Sequence, residues 1–333
     1  MIVHDIVYGP AEITQPVLLD LLASDAVQRL HGVLQHGITA MIGITRPTTR
    51  FEHSVGTMLL VRRLGADLRE QIAALLHDVS HTAFSHVIDY VYGEHDRQGY
   101  HEEHKEAFVA RSDLPEILSR HGYNWQALIR EEDFSLLEQP APALCADRID
   151  YFLRDSLELD PSAPKQIPEV LQHLTVWEER IVVNDIDTAR WLARTYIACD
   201  QASWANFREV GLYEVTAQAI RIALRLGTIG EDNFWGTDTE LWAKLNQGND
   251  PELRDQLALV SASTQFVWDE TAPTFRVSTK VRTIDPAVLL AGQARPLSAL
   301  DPEFAAYRQA YLESKQGLWP MRVVSPVERR NAP

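Results

Sequence analysis

Apolar residues recur at helical spacing through most of this chain and divide it into a succession of short helices. Val17, Leu18, Leu21, Leu22, Val27 and Leu30 mark a helical stretch from Pro16 to Val33, broken or re-capped at Ser24-Asp25. Before it, residues 1 to 15 are extended in character with a Gly9-Pro10 turn, and after it Gly32 to Pro47 is a glycine-dotted loop. A second helix is predicted to begin near Thr48-Thr49, either of which suits the N-cap, and to carry Phe51, Val55, Met58, Leu59 and Leu64. The run Ile72-Ala73-Ala74-Leu75-Leu76 predicts a third. Asp67 and Glu70 are spaced as its capping box, and His77-Asp78 stand at its C-terminal end. If that helix continues, His81 falls one turn further on, on the face of His77. Helices are also predicted through Phe84, Val87, Ile88 and Val91, from His101 and His104 through Phe108 and Val109, and from Ala143 to Leu159, where Pro161 and Pro164 end it. Further on, residues 174–177 and 180–183 form the one good hairpin, Thr188 to Thr228 makes two helices, and Thr274 to Ile284 alternates as a strand. Asp301 to Lys315 is a last helix and Val323 to Pro333 a frayed tail. The fold class is mainly α with a small β-hairpin. Residues 1–160 are expected to form a core on which a helical C-terminal region, 161–333, is packed.

Composition narrows the functional classes. The chain has 333 residues and a net charge of -16, which argues against a nucleic-acid backbone or an anionic membrane as the main partner. An anionic small substrate stays open, because a metal and a few local arginines override the global field. The two cysteines, Cys145 and Cys199, are far apart and form no CxxC, so neither a disulfide framework nor a thiolate metal site is indicated. With no signal-like N-terminus and no run long enough to span a bilayer, a soluble, cytoplasmic protein is expected.

Histidine changes the picture. Seven of the chain's twelve histidines lie between His53 and His104, a concentration that neither a solvated surface nor a packed core requires. His77-Asp78 ends an apolar helix; Arg50-Phe51-Glu52-His53-Ser54 precedes it, Ser85-His86 and Asp89 follow it, and Ala146-Asp147-Arg148-Ile149-Asp150-Tyr151 lies further on. In that last element Asp147, Tyr151 and Asp155 are spaced to line one helical face, beside Arg148 and Arg154. Imidazole and carboxylate together suit a divalent ion such as Mn, Fe, Co, Ni or Zn, and they also suit proton transfer.

These motifs resemble those of the HD-domain phosphohydrolases, and more narrowly the deoxynucleoside triphosphate triphosphohydrolases and their bacterial relatives. The family patterns RFEHSxG, HDxGHxxFSH and D-K/R-x-D-Y-x-x-R-D are met here in order, with Ser80 in place of the usual glycine and Arg148 where lysine is common. The likeness opens at His4-Asp5-Ile6-Val7-Tyr8-Gly9, continues through Val27-Gln28-Arg29-Leu30, runs to about Asp160, and is only similar in kind at Val281–Pro286. It implies an HD-domain helical bundle assembled from several copies of the chain. By resemblance, His53, His77, Asp78 and Asp147 are metal ligands, with Mg as a candidate second ion. Arg50, Arg148 and Tyr151 would hold phosphates. His81, His86 and Asp89, joined by His101 in preference to His104, would form the acid–base group. Gln35 and Asp155 match positions that contact the sugar 3′-hydroxyl in nucleotide-cleaving relatives, while His36 replaces a leucine under the sugar. The implied reaction is hydrolysis of a (deoxy)nucleoside triphosphate to nucleoside and triphosphate. The alternatives are a nucleotidase or phosphodiesterase acting on another phosphoester, or a non-catalytic nucleotide-binding regulator. Where some relatives read an activating guanine nucleotide, this chain has Ala23, Gln28 and His31, so activation by that route is not expected.

Overall fold

In the computed structural model, which describes residues 1–324, the helix Arg50–Arg63 starts from a complete capping box. Thr49 accepts from the Glu52 N–H at 3.1 Å and Glu52 accepts from the Thr49 N–H at 2.8 Å, which satisfies donors that a helix start leaves unpaired. Asp67 caps the next helix, Leu68–Leu76, 2.9 Å from the Glu70 N–H. Glu70 does not close a second box. Its carboxylate accepts from the Leu136 and Leu137 N–H groups at 2.7 and 3.1 Å and ties a distant loop to this helix start. Ser24 re-caps the N-terminal stretch, giving Pro16–Leu22 and Asp25–Gln28.

The Arg50–Arg63 helix packs on both Leu68–Leu76 and Ala146–Leu159. Met58, Leu75, Leu76, Phe152 and Leu153 bury their side chains there, in one cluster with Leu192 and Ile197 of the helix Ile186–Cys199 and Phe304 of Pro302–Ser314. Each such side chain contributes about 1.5–3 kcal/mol. A second cluster joins Phe84, Val87 and Ile88 to Ile220 of Phe207–Arg225 and Leu241 of Asp238–Gln247. Both clusters draw on residues from either side of position 160.

The chain is mainly α, with more β structure than its alternation suggests. The expected hairpin forms as drawn, Trp177 opposite Arg180 across a Glu178-Glu179 turn at φ 48° and 59°, but it belongs to a four-stranded sheet completed by Ala287–Leu290 and Gln293–Pro296. A second hairpin pairs Ile2–Asp5 with Gly9–Glu12, so Pro10 lies in a strand rather than in the turn. A third sheet places Trp319–Val324 between Gln265–Trp268 and Phe275–Val277. Val323 and Val324, expected to fray, are therefore paired; residues 325–333 lie outside the described range. The strand predicted over Thr274 to Ile284 stops at Val277. Beyond it Thr279 accepts from the Tyr90 hydroxyl and the Arg282 N–H turns to the Asp200 carboxylate, partners that no sheet supplies. Pro164 opens a new helix, Ala163–His173, as well as marking the end of the previous one.

Two differences bear on the site. The helix Leu68–Leu76 ends with His77 as its C-cap, so His81 is brought back by a turn and not by helical periodicity. The helix predicted from Phe84 begins only at Val87, because Phe84 and Ser85 sit at φ 60° and 50°. Such backbone is costly for residues with a Cβ and is held here from several sides. The Phe84 N–H donates to Asp238 at 2.8 Å, and the Phe84 carbonyl lies so close to Gly37 that a Cβ there would stand 2.3 Å from it.

Candidate metal centre and acid–base group

The tautomers of two histidines fix the character of the centre. His53 Nδ1 faces the Asp150 carboxylate at 2.7 Å and His77 Nδ1 faces the Ala74 carbonyl at 2.8 Å. Both partners only accept, so each Nδ1 carries a proton and each ring, when neutral, presents a bare Nε2. Those two nitrogens point at each other across 3.2 Å, with Asp147 Oδ1 at 2.9 Å from His53 and 3.4 Å from His77. Asp78 closes the group at 3.6 and 3.7 Å. Ring nitrogens and carboxylate oxygens converging in this way fit a divalent cation, which would displace the protons from the rings, and two imidazoles with two carboxylates are a suitable donor set. Protons feel the same field. Burial opposes charging His77, but the Asp78 and Asp147 carboxylates lift it to about 10. Burial likewise opposes the ionised Asp78, which Arg50, His77 and His53 nevertheless hold well below the usual carboxylate range.

Behind His53 runs a chain of charges that the sequence motifs contained but did not explain. Asp150 accepts from Arg154 at 2.7 and 3.1 Å, and Arg154 reaches Asp5 at 2.6 Å, so the N-terminal hairpin is wired to the centre. The pair leaves no room beside it: a Cβ on Gly56 would lie 1.9 Å from Arg154 and 2.1 Å from Asp150. That explains the glycine that ends the Arg50–Gly56 motif. The i, i+4 spacing of Asp150 and Arg154 was the available signal.

The second group lies one turn away. His86 Nδ1 donates to Asp89 at 3.0 Å, and the other Asp89 oxygen accepts from the Tyr100 N–H at 2.9 Å. Burial brings His86 down to about 4 although Asp89 pulls it up, so its ring is neutral near pH 7 with Nε2 free to accept. His81 stacks on His101, centroids 3.6 Å apart, with its Nε2 3.4 Å from Asp78. Burial, then the Arg50 charge, depress His81 well below the ordinary range, and its Nδ1 is buried without a partner. His101 meets Glu102 at 3.3 Å, and Glu102 meets the buried Lys105 at 3.2 Å. His104 turns the other way, onto the Tyr100 carbonyl and ring, so His101 is the one that joins the cluster. Arg29 holds the turn that carries these groups, donating to the carbonyls of Val79 and His81 at 2.8 Å each and of Gly236 at 2.9 Å.

One cavity of about 860 Å³ gathers every residue named as a candidate except Asp89, which stands behind His86, and Asp155. Arg50 is clamped between Ser85 and Asp78. Arg148 donates to the carbonyls of Gln139 and Ala143 and to Glu138, and Tyr151 bonds the Tyr196 hydroxyl. Gln35 reaches the cavity with its buried Oε1 unpartnered. Asp155 is engaged elsewhere, by His36 Nε2 at 3.0 Å and Trp204 Nε1 at 2.7 Å, and faces a separate cavity of about 150 Å³ on the far side of His36. The periodicity that aligned Asp155 with Asp147 and Tyr151 could not reveal those two partners. Lys280 and Arg282 also line the main cavity, from a segment the motifs only touched. Gln28 is bonded to the Leu22 carbonyl and His31 stacks on Phe51, so both are committed within the fold. Cys145 and Cys199 are free and buried, and no described helix is long and apolar enough to cross a membrane.

Comparison with known proteins agrees with this geometry. The HD-domain family model matches residues 50–155, the span that carries all four candidate ligands. The chain is 39% identical over 324 residues to the metal-dependent phosphohydrolase cns2 of Cordyceps militaris, covering 95% of this chain and 93% of that one. It is 36% identical to the uncharacterized protein YdhJ of Bacillus subtilis, over 96% and 98% of the two chains. Deoxynucleoside triphosphate triphosphohydrolase SAMHD1 of Gallus gallus is 30% identical over 158 residues, 41% of this chain and 25% of that protein. In fold, a hypothetical protein from Aquifex aeolicus superposes with a TM-score of 0.67 at 19% identity, covering 95% of this chain and 98% of its own. The match and these relatives together show that this chain belongs to the HD-domain metal-dependent phosphohydrolases.

Proposed function

We propose that this phosphohydrolase acts on nucleotides, cleaving a (deoxy)nucleoside triphosphate at the α-phosphorus to give nucleoside and triphosphate. The observation that carries the reading is the placement of His53, His77, Asp78 and Asp147 beside His81, His86 and His101 on the wall of one cavity large enough for a nucleotide. The similarity of the HD span to deoxynucleoside triphosphate triphosphohydrolases supports the triphosphate. A divalent ion, held by His53, His77, Asp78 and Asp147, would supply Lewis acidity to a phosphoryl oxygen. The chain's own groups do the rest. Arg50, fixed by Ser85, presents charge to the phosphate, and Arg148 and Tyr151 shape its seat. Water adds to the α-phosphorus as the bond to the nucleoside oxygen breaks. His86, oriented by Asp89 and packed edge-on against His81 and His101, takes up a proton as the polyanionic substrate arrives and delivers it to the departing oxygen, and the proton lost by the water passes to solvent.

A second reading, a nucleotidase or phosphodiesterase on another phosphoester, is favoured by Asp155, whose two oxygens are bonded to His36 and Trp204 and do not reach the main cavity. Protein freed of metal, reloaded with Mn²⁺ and incubated with nucleoside and deoxynucleoside mono- and triphosphates separates the two. Triphosphate among the products supports the first, orthophosphate alone the second. Failure to hydrolyse any nucleotide would overturn the first reading and the nucleotidase, and bis(p-nitrophenyl) phosphate added to the panel tests the phosphodiesterase.

A further inference from the structure

The cations of this molecule's interior are paired with carboxylates almost without exception. Arg50 meets Asp78, Arg154 meets Asp150 and Asp5, Arg148 meets Glu138, and Lys105 meets Glu102 and Glu131. In a chain with 47 acidic and 31 basic residues a cation has no shortage of partners. Arg29, which donates only to carbonyls, and the half-buried Arg282 depart from this rule; among the described residues neither Arg282 nor the exposed Lys280 beside it forms an ion pair, although both line the main cavity. The Arg282 guanidinium donates to two neutral oxygens, the Lys280 carbonyl at 3.2 Å and the Gln98 side chain. Asp200 is bonded to the Arg282 backbone N–H and forms no side-chain ion pair with it, although the two charges lie close enough to influence each other. The segment is irregular here because that backbone bond and the Thr279–Tyr90 bond pull it off the strand, which turns both cations toward the cavity. A guanidinium kept half-buried on neutral partners leaves most of its electrostatic attraction unused until an anion arrives.

We propose that Lys280 and Arg282 form an anion seat for a phosphate of the substrate other than the one being cleaved, so that the enzyme is built for molecules carrying at least two phosphates. This rests on the phosphohydrolase reading of the same cavity and narrows its substrate class. Arg148, on the neighbouring wall, is already neutralised by Glu138 and three carbonyl contacts, and cannot take that role without giving up those bonds. Mutual repulsion supports the assignment, since burial and then the Arg282 charge depress Lys280 below the usual lysine range, a strain that a bound anion relieves.

The test uses inorganic probes on the metal-loaded full chain, by isothermal titration calorimetry. Orthophosphate reports the metal centre alone; tripolyphosphate reports centre and seat together. In Arg282→Gln, and more so with Lys280→Gln added, tripolyphosphate should bind roughly 10- to 100-fold more weakly while orthophosphate changes by less than about threefold. Arg282→Lys should recover part of the loss. Unchanged tripolyphosphate affinity in the double variant would overturn the seat, as would an equal loss for both anions, which would mean that Arg282 only maintains the fold. If wild-type protein hydrolyses no nucleotide yet shows the tripolyphosphate difference, the nucleotide reading fails and the seat stands.

Discussion

The two walls of the cavity differ in what their charged groups are tied to. On the wall that carries Arg50, His53, Asp78, Asp150 and Arg154, each of these charged groups has a partner inside the protein, in a relay from Asp78 and His53 through Asp150 and Arg154 to Asp5. On the wall built by Gln35, Lys280 and Arg282, a buried amide oxygen has no hydrogen-bond partner and, among the described residues, neither cation forms an ion pair. The difference separates two tasks. A metal must be held at fixed geometry, and a relay of paired groups holds rings and carboxylates in place before the ion arrives. A substrate must be taken up and released, and groups that wait unpaired gain more from its arrival than groups already satisfied.

The contrast is broken most severely at the acid–base group. His86→Gln or Asp89→Asn should lower turnover by roughly 10²–10⁴ while metal content stays at the wild-type level. Turnover is read under saturating substrate and metal by elemental analysis. Unchanged turnover in both variants would mean that these residues only pack. Next comes the relay. Asp150→Asn replaces the acceptor-only carboxylate that fixes the His53 tautomer with a neutral amide able to donate, and should weaken metal binding by about 10- to 100-fold, measured by competition with a chelating dye. Gly56→Ala should act in the same direction, because its Cβ collides with the Asp150–Arg154 pair. Metal affinity equal to wild type in both would sever the relay from the centre.

A smaller effect is expected at His36. While His36 and Trp204 occupy Asp155, wild-type enzyme should distinguish nucleotides with and without a 3′-hydroxyl by less than about tenfold in kcat/KM, and His36→Leu should widen that ratio. A large ratio in wild type that His36→Leu leaves unchanged would show that Asp155 is not involved. The smallest effect is on stability. His86 is held at about 4 in the folded chain against about 6.5 unfolded, so between those values the unfolded chain binds the extra proton. Its contribution is present above pH 6.5 and is lost as pH falls toward 4. Metal-free wild type should therefore lose on the order of 2 °C more in Tm across that window than His86→Gln does. Parallel Tm curves would contradict the assigned direction.

Much of the paired wall was legible in the sequence, because its candidate ligands sit in short local motifs. Thr49 with Glu52, His77 beside Asp78, and the spacing of Asp147 to Arg154 each reveal themselves within a few residues. What escaped depends on distant contacts. Asp155 shares a helical face with Asp147, yet its partners His36 and Trp204 are 119 and 49 positions away. His81 reaches the centre through a turn held by Arg29, not through the helical continuation that its spacing suggested. Phe84 and Ser85 look helical and are left-handed because Gly37 and Asp238 fix them from other parts of the chain. The missed strands are three to six residues long and pair across long intervals, as Gln265–Trp268 does with Trp319–Val324, so local alternation was too weak to mark them.

The central claim is that His53, His77, Asp78 and Asp147 hold one divalent ion on which hydrolysis depends. Elemental analysis and hydrolysis measured on the same preparations of wild type and Asp78→Ala test it most directly, with circular dichroism to establish that the variant is folded. Near-stoichiometric metal and activity in the wild type, with both reduced to background in folded Asp78→Ala, is the predicted result. Full metal occupancy in a folded Asp78→Ala chain would contradict it.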